Sequence, residues 1–393
     1  MEIIIHRYGS ICEPDLIDAF RSCGITVIED SREIYQKSIS REERIRDLGS
    51  LILTHHASFV FSINFFPYIS EICERMKLLY VSLIVDCPVL ELFSNSIKNG
   101  CNRIFLFDHI QYQRFYPENP ECIYYLPLAA NTDRWDKILE CVTAEDENKY
   151  QCEISFVGSL YKEKSPLSRI CLDKIHDESA KRLIEEQLKG EGDLFFDKRI
   201  PKSLVDAIRC KDASFFRVEN AFQDTDEYVA ANYYLGMQAS CLERIRTLTE
   251  LGREFQVDLY TKSDTSDLAH IPKIRCRGEA ATHYEMPKVF YFSKINLNIT
   301  MYSIQSGLSQ RIWDVLGCGG FLLTDYQSEI PEYFTIGKDL DCFENVMELK
   351  EKVAYYLAHE DIRKDIANNG FQKVRAGHTY IHRICYIFNI LFG

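Results

Sequence analysis

A chain of 393 residues exceeds one ordinary hydrophobic core and suits two α/β domains. Its net charge of -13 argues against a nonspecific grip on nucleic acid or anionic membrane, yet leaves room for a small basic pocket holding one phosphorylated ligand. Apolar residues at 46% and charged residues at 27% are the balance of a folded globular protein, and the sequence has no low-complexity tract, short-period repeat or long like-charge block.

The opening MEIIIHRYGS has too few apolar residues before His6 for a signal-peptide core, and no apolar run approaches the ~20 residues of a membrane span. The 15 cysteines are scattered singly without a C-x-x-C pair, which predicts reduced thiols and no structural zinc. The expectation is a cytoplasmic protein with no integral membrane segment and no nucleic-acid partner.

In chain order, Glu2–His6, Ile25–Glu29, Phe59–Ile63, Leu79–Val85, Arg103–Phe107 and Ile123–Leu126 read as strands. They are β-branched or aromatic and nearly free of charge, as strands buried on both faces must be. Helical patterns at Pro14–Cys23, Arg41–Thr54 and Pro67–Met76 lie between them. This alternation implies a parallel, doubly wound sheet over residues 1–130. Residues 131–152 are polar and read as a linker. A second domain over 153–375 opens with ISFVGSL and carries a helical insertion at about 165–250. Its further strands are predicted at Val257–Thr261, Lys273–Arg277, Ile295–Thr300, Phe321–Thr324 and Leu340–Phe343. Helices are predicted at Leu308–Leu316, Val346–Ala358 and Asp361–Asn369, and Tyr380–Leu391 is a further helix within 376–393.

The most informative stretch runs from Lys294 to Glu332, KINLNITMYSIQSGLSQRIWDVLGCGGFLLTDYQSEIPE. It reads as strand, loop, helix, glycine turn and strand. Ligands of open α/β sheets bind at the carboxyl ends of strands, and the loop Tyr302–Ser306 lies at such an end. Gly307 permits close backbone approach, and the free N–H groups of the next helix favour an anion such as a diphosphate. Leu308, Ile312, Val315 and Leu316 share one packed face, while Arg311 and Asp314 fall one turn apart on another stripe. A cation there can hold phosphate oxygens, and a carboxylate can accept two hydrogen bonds from a ribose. The plainer alternative is a surface i,i+3 ion pair worth tenths of a kcal/mol, with GCGG as a helix cap and turn.

These residues resemble the nucleotide-sugar domain of GT-B glycosyltransferases, specifically the CgeB-like group of the glycosyl-transferase group 1 superfamily. The matching blocks are SKINLNIT (Ser293–Thr300), SIQSG (Ser303–Gly307), RIWDVLGCGGFLLTDYQ (Arg311–Gln327) and NNGFQKVRAGHTYIHR (Asn368–Arg383). FVGSLY (Phe156–Tyr161), VDCP (Val85–Pro88), FLFDH (Phe105–His109) and YLPLAAN (Tyr125–Asn131) extend the resemblance over nearly the whole chain. It implies two Rossmann-like doubly wound domains facing a cleft, with the last helix returning to the N-terminal domain. It implies transfer of a hexosyl or N-acetylhexosaminyl group from a nucleotide-diphosphate-sugar, a UDP-sugar foremost, to a protein or polysaccharide-precursor acceptor. Neither a metal nor a cofactor is implied.

By the resemblance, Asp314 stands at the second acid of the superfamily's two-glutamate motif and holds the ribose. The first acid falls at Ser306, which is no carboxylate, so the stereochemical outcome stays open. Arg311 corresponds to a diphosphate clamp, and Gly158 and Ser159 approach the donor phosphates, with Lys162 or Lys164 supplying charge. An inverting enzyme needs a base in the first domain. Asp86, Asp108, His109 and the loop Tyr8–Gly9–Ser10 with Glu13 are the candidates, although Asp86 and Asp108 also suit helix caps. His55 and His56 end a helix and are set aside. A degenerate module that binds a sugar or partner without turnover is the alternative, favoured by Ser306. A nucleotide-sugar 2-epimerase lacks its cluster of acids, and a Rossmann oxidoreductase lacks its G-x-G-x-x-G.

Overall fold

The computed structural model describes residues 1–36, 38–190 and 199–393. The chain divides into two compact units. The first comprises Met1–Asn131, Val218–Gln223 and Gly377–Gly393, and the second comprises Thr132–Arg217 and Asp224–Ala376.

The first unit holds a six-stranded sheet of β1 (Glu2–His6), β2 (Thr26–Asp30), β3 (Phe59–Ile63), β4 (Leu79–Leu83), β5 (Asn102–Leu106) and β6 (Ile123–Tyr125). Its order is β2-β1-β3-β4-β5-β6, and every pairing is parallel. Parallel pairing follows from the helices that cross over between strands. β3 is buried along its whole length, whereas the edge strand β2 is partly open. Six strand ends of this sheet lie one or two residues from the sequence reading, two of them for evident local reasons. Ile25 still bonds back to the Phe20 carbonyl at the end of a helix, so β2 begins one residue later. Beyond Leu83, the N–H groups of Val85 and Asp86 turn to the Asn64 side-chain oxygen, which ends β4 early.

The helices carry their own end signals. Ser40 and Glu43 form a capping box ahead of Arg41–Thr54, and Pro67 opens Pro67–Met76, which stops at left-handed Lys77. The helix Tyr380–Phe392 buries Tyr380, Ile384 and Ile387 in the same core as Ile17, Phe20 and Phe61. Arg383 fastens it by donating to the carbonyls of Pro127 and Leu128.

In the second unit, β7 (Cys152–Val157), β8 (Val257–Tyr260), β9 (Ile274–Gly278), β10 (Ser293–Asn298), β11 (Leu322–Asp325) and β12 (Asp341–Phe343) form another parallel sheet. The order is β12-β11-β10-β7-β8-β9. Residues 132–150 are not extended: they carry helices Thr132–Leu139 and Ala144–Tyr150, the second opened by a capping box of Thr143 and Asp146. Between β7 and β8 lie helices Lys174–Leu188, Lys202–Lys211 and Gly236–Glu254, while part of the expected insertion, residues 191–198, falls outside the described residues. Val218–Gln223 leaves this run to pair with the first unit through a Ser94–Ala221 bridge.

The core around Ile154, Phe156, Leu259, Ile295 and Leu323 packs on one face of this second sheet, since these residues alternate along their strands and stand in register across it. Two glycines are required by packing. A side chain on Gly320 would meet the Phe290 carbonyl at 2.7 Å, and one on Gly370 would collide with the Asp339 carbonyl. The GCGG turn therefore serves close approach of the strand to its neighbours, with Gly319 taking the left-handed conformation that caps the helix.

Candidate functional site

The second sheet reverses its winding between β7 and β10, so the loops leaving these neighbours diverge and open a crevice at their carboxyl ends. The loop after β7 contains Gly158 and Ser159, and the loop after β10 contains Ser306 and Gly307. The sequence-predicted donor residues therefore flank one switch point. The helix Gln310–Gly317 follows the second loop, and its N-cap Ser309 makes no capping bond with its own side chain. Of its first-turn N–H groups, that of Ile312 donates to the Ser309 carbonyl at 3.0 Å.

Arg311 Nη1 lies 3.1 Å from Asp314 Oδ2, and Gln310 Nε2 donates to Asp314 Oδ1 at 2.8 Å. Asp314 is 6% exposed and the Arg311 side chain 21%, so this is an enclosed pair and not a surface i,i+3 bridge. The reason is that the helix is buried on nearly every side, from Ile312 through Gly317. The guanidinium also rests 5.1 Å from the Phe290 ring centroid and donates to the sulfur of Met286. A fixed carboxylate beside a fixed guanidinium can bind neighbouring hydroxyl and phosphate groups of one ligand.

Ser306 is buried, and its hydroxyl donates to Glu329 Oε1 at 2.5 Å. A carboxylate thus stands beside the position at which the sequence shows none. Lys162 is placed differently from the expectation: its ammonium is held by Asp264 at 2.7 Å and Asp267 at 2.8 Å, which raise its pKa. That charge is already matched by two acids on the loop beyond β8, which leaves it unsuited to phosphate. Lys164 is exposed, with its ammonium 5.6 Å from the Tyr161 ring centroid. Ser159 accepts a hydrogen bond from Tyr161 N–H and keeps the loop turned.

A cavity of about 360 Å³ adjoins the carboxyl ends of β10, β11 and β12 and is lined by Glu243, Thr300, Tyr302, Asp325 and Gln327 among others. Asp325 ties two strand ends together by accepting from Thr300 N–H and Oγ1 at 2.9 and 3.0 Å. Burial, then the nearby Asp325, pushes the Glu243 carboxyl up from 4.5 to about 7. Between those values the unfolded chain releases a proton that the folded unit retains. Stability therefore falls as pH rises through this window, and the deficit is complete above about 7. Glu243→Gln removes the deficit, of order ~1–3 kcal/mol. The variant is expected to melt a few degrees above the parent at pH 8 and together with it near pH 4.5. Equal melting at both would show that Glu243 is not a penalised buried acid.

The candidate bases lie in the first unit. Asp86 is exposed at the end of β4 and accepts from Asn64 Nδ2 at 2.7 Å. The same amide donates to the Tyr8 hydroxyl, so Tyr8, Asn64 and Asp86 gather at the carboxyl ends of β1, β3 and β4. Asp86 caps no helix, because the short turn after Pro88 begins from Val89. Asp108 does cap one: it is buried and accepts from Gln111 N–H at 2.9 Å. His109 opens that helix with its ring against Tyr125, 3.7 Å between centroids. Glu13 is buried and occupied, since one of its oxygens accepts from the N–H groups of Tyr8, Gly9 and Ser10. It shapes that loop and is withdrawn as a base. His55 pairs with Glu2 at 2.9 Å.

The sequence reading missed Arg244, Glu243 and Glu329. All three reach the crevice or the adjoining cavity from elements distant in sequence, and no local pattern marks them.

Residues 240–389 match a family model described as "Glycosyl transferase-like". No curated protein matches the sequence. Among solved structures, a glycosyltransferase from Rickettsia africae superposes with a TM-score of 0.57 at 11% identity, covering 100% of this chain and 99% of that one. Sucrose-phosphate synthase from Thermosynechococcus elongatus gives 0.55 at 9% identity, with 100% and 99% covered. Anabaena HepE in complex with UDP and glucose gives 0.54 at 9% identity, with 98% of each chain covered. The two parallel six-stranded sheets with their flanking helices are those of the GT-B glycosyltransferase fold. Among the described residues no helix is long and apolar enough to cross a membrane.

Proposed function

We propose that this chain is a GT-B glycosyltransferase of the CgeB-like kind. It moves a hexosyl or N-acetylhexosaminyl group from a nucleotide-diphosphate-sugar to a protein or polysaccharide-precursor acceptor in the cytoplasm. The observation that carries the reading is the enclosed Arg311–Asp314 pair at the switch point, within the segment that matches the glycosyl transferase-like model. Asp314 binds the ribose hydroxyls, and Arg311, together with the positive end of its helix, offsets charge growing on the leaving diphosphate. Gly158, Ser159 and Gly307 let the backbone approach the phosphates. Protein groups meet that charge, so the reaction calls for no metal. A UDP-sugar is the first donor to try, since HepE, which shares the fold, binds UDP and glucose. The fifteen free thiols suit a cytoplasmic setting.

The alternative, a binding module without turnover, drew on Ser306. The Glu329 carboxylate bonded to that serine weakens it. Asp86 is the base we assign, because it is exposed at a strand end and held by a single amide. Asp86→Asn is expected to lower turnover at least tenfold while donor affinity stays within about twofold of the parent. A variant as fast as the parent removes Asp86 from the mechanism.

The reading is tested by titrating the protein with UDP, GDP, dTDP, CMP and their sugar conjugates, following melting temperature with and without EDTA. One nucleotide family at ~100 times its dissociation constant should add about 2.7 kcal/mol, insensitive to EDTA. Release of nucleoside diphosphate from that donor, stimulated by an acceptor preparation, then separates enzyme from binding module. Binding without release would favour the module.

A further inference from the structure

We infer that Arg244, a residue of the helix Gly236–Glu254, is a second cation, besides Arg311, that meets the donor's diphosphate at the switch point. This rests on the transferase reading and names the charge that Lys162, held by two acids, does not offer.

The side chain is 7% exposed. Its Nη1 donates to the Ser159 carbonyl at 2.6 Å and its Nη2 to the Ile299 carbonyl. One guanidinium therefore bridges the two loops that diverge from β7 and β10. It rests over the Tyr161 ring at 4.5 Å and near the Phe156 ring at 5.5 Å. A side chain built on Gly158 would lie 3.7 Å from Nη1, so the space that this glycine leaves open borders the guanidinium. Nε is buried and has no hydrogen-bond partner. Among the described residues no carboxylate lies within ion-pair distance of Arg244, whereas Arg311 has Asp314.

A buried cation without a counter-ion is costly, and two carbonyls with two aromatic faces offset only part of that cost. A dianion entering the crevice completes the compensation. Of the five guanidinium N–H groups, two are given to loop carbonyls and Nε–H is buried, which leaves the second N–H of Nη1 and of Nη2 to meet phosphate oxygens. The same carbonyl bonds hold the loops in place, so diphosphate binding and loop order are coupled through one side chain.

The experiment compares inorganic pyrophosphate, UDP and uridine on the full chain, its Arg244→Gln and Arg244→Lys variants, and Arg311→Gln, each checked for parental melting behaviour. In Arg244→Gln, pyrophosphate and UDP affinities are expected to fall about 30-fold, as loss of a charge-assisted contact implies, with uridine affinity within twofold. Arg244→Lys should recover part of the loss. A merely structural clamp would weaken uridine and UDP alike. Unchanged pyrophosphate and UDP binding in a folded Arg244→Gln overturns the inference while leaving the transferase reading in place. Pyrophosphate binding that depends on Arg244, with no nucleotide bound, upholds the anion site and overturns that reading. If Arg244→Gln fails to fold, hydrogen exchange on the parent decides. Slowing by pyrophosphate in the 158–161 and 299–302 loops supports the inference, and no slowing there overturns it.

Discussion

Trp313→Ala is expected to destabilise the second unit by about 3–5 kcal/mol, the largest stability loss of any change considered. Trp313 is 0% exposed on the helix Gln310–Gly317. It meets Tyr333 edge-on at 5.8 Å and Phe334 at 5.4 Å between centroids. Truncation leaves a hole among aromatic rings anchored in other elements, which close it only in part. For a unit of this size the loss corresponds to a melting point lower by roughly 6–20 °C. Urea unfolding of parent and variant checks this, with Trp313→Phe as the milder control. A loss below about 1 kcal/mol would mean that the helix does not rely on this anchor. Because Asp314 and Arg311 share the helix, a partly folded variant should also bind nucleotide less well.

The second large effect concerns the donor. Arg311→Ala is expected to weaken binding of the nucleotide donor by roughly 1.5–3 kcal/mol, a loss of about 10- to 150-fold. Two causes combine. On the proposed reading a cation facing the diphosphate is removed, and Asp314 loses the partner that holds it 3.1 Å away. Asp314→Asn keeps the shape and removes the charge, so it should weaken nucleoside binding more than pyrophosphate binding. The pair acts as a unit, and the double variant should fall short of the sum of the two single losses by about 0.5–3 kcal/mol. Calorimetric titration of all four proteins measures this directly. Unchanged donor affinity in Arg311→Ala would end its assigned role.

Several parts of the fold were legible in the sequence because a single local rule governed them. β1 and β3 begin and end where the reading of the chain placed them, since strands buried on both faces must be nearly continuous apolar runs. Arg41–Thr54 and Val346–Ala358 were equally plain, with Ser40 and Asn345 supplying their caps. The Arg311–Asp314 adjacency followed from helical periodicity alone. Its enclosure did not, because periodicity places residues on one helix without saying what packs against it. Trp313, outside the expected packed face, is wholly buried for the same reason.

By itself, then, the sequence determined the alternation of strand and helix, the parallel sheets that this alternation requires, and the loop and helix that carry Ser306, Arg311 and Asp314. These depend on neighbours within a few residues. Which charges remain available there was decided only by tertiary structure. Lys162 is matched by acids about a hundred residues away, and Glu13 is consumed by the loop it shapes. Arg244 reaches Ser159 across 85 residues and Ile299 across 55. Glu329 returns a carboxylate to Ser306 across 23. Electrostatic pairing acts through space and is blind to chain order, so the composition of the site emerges only when the sheet brings its strand ends together.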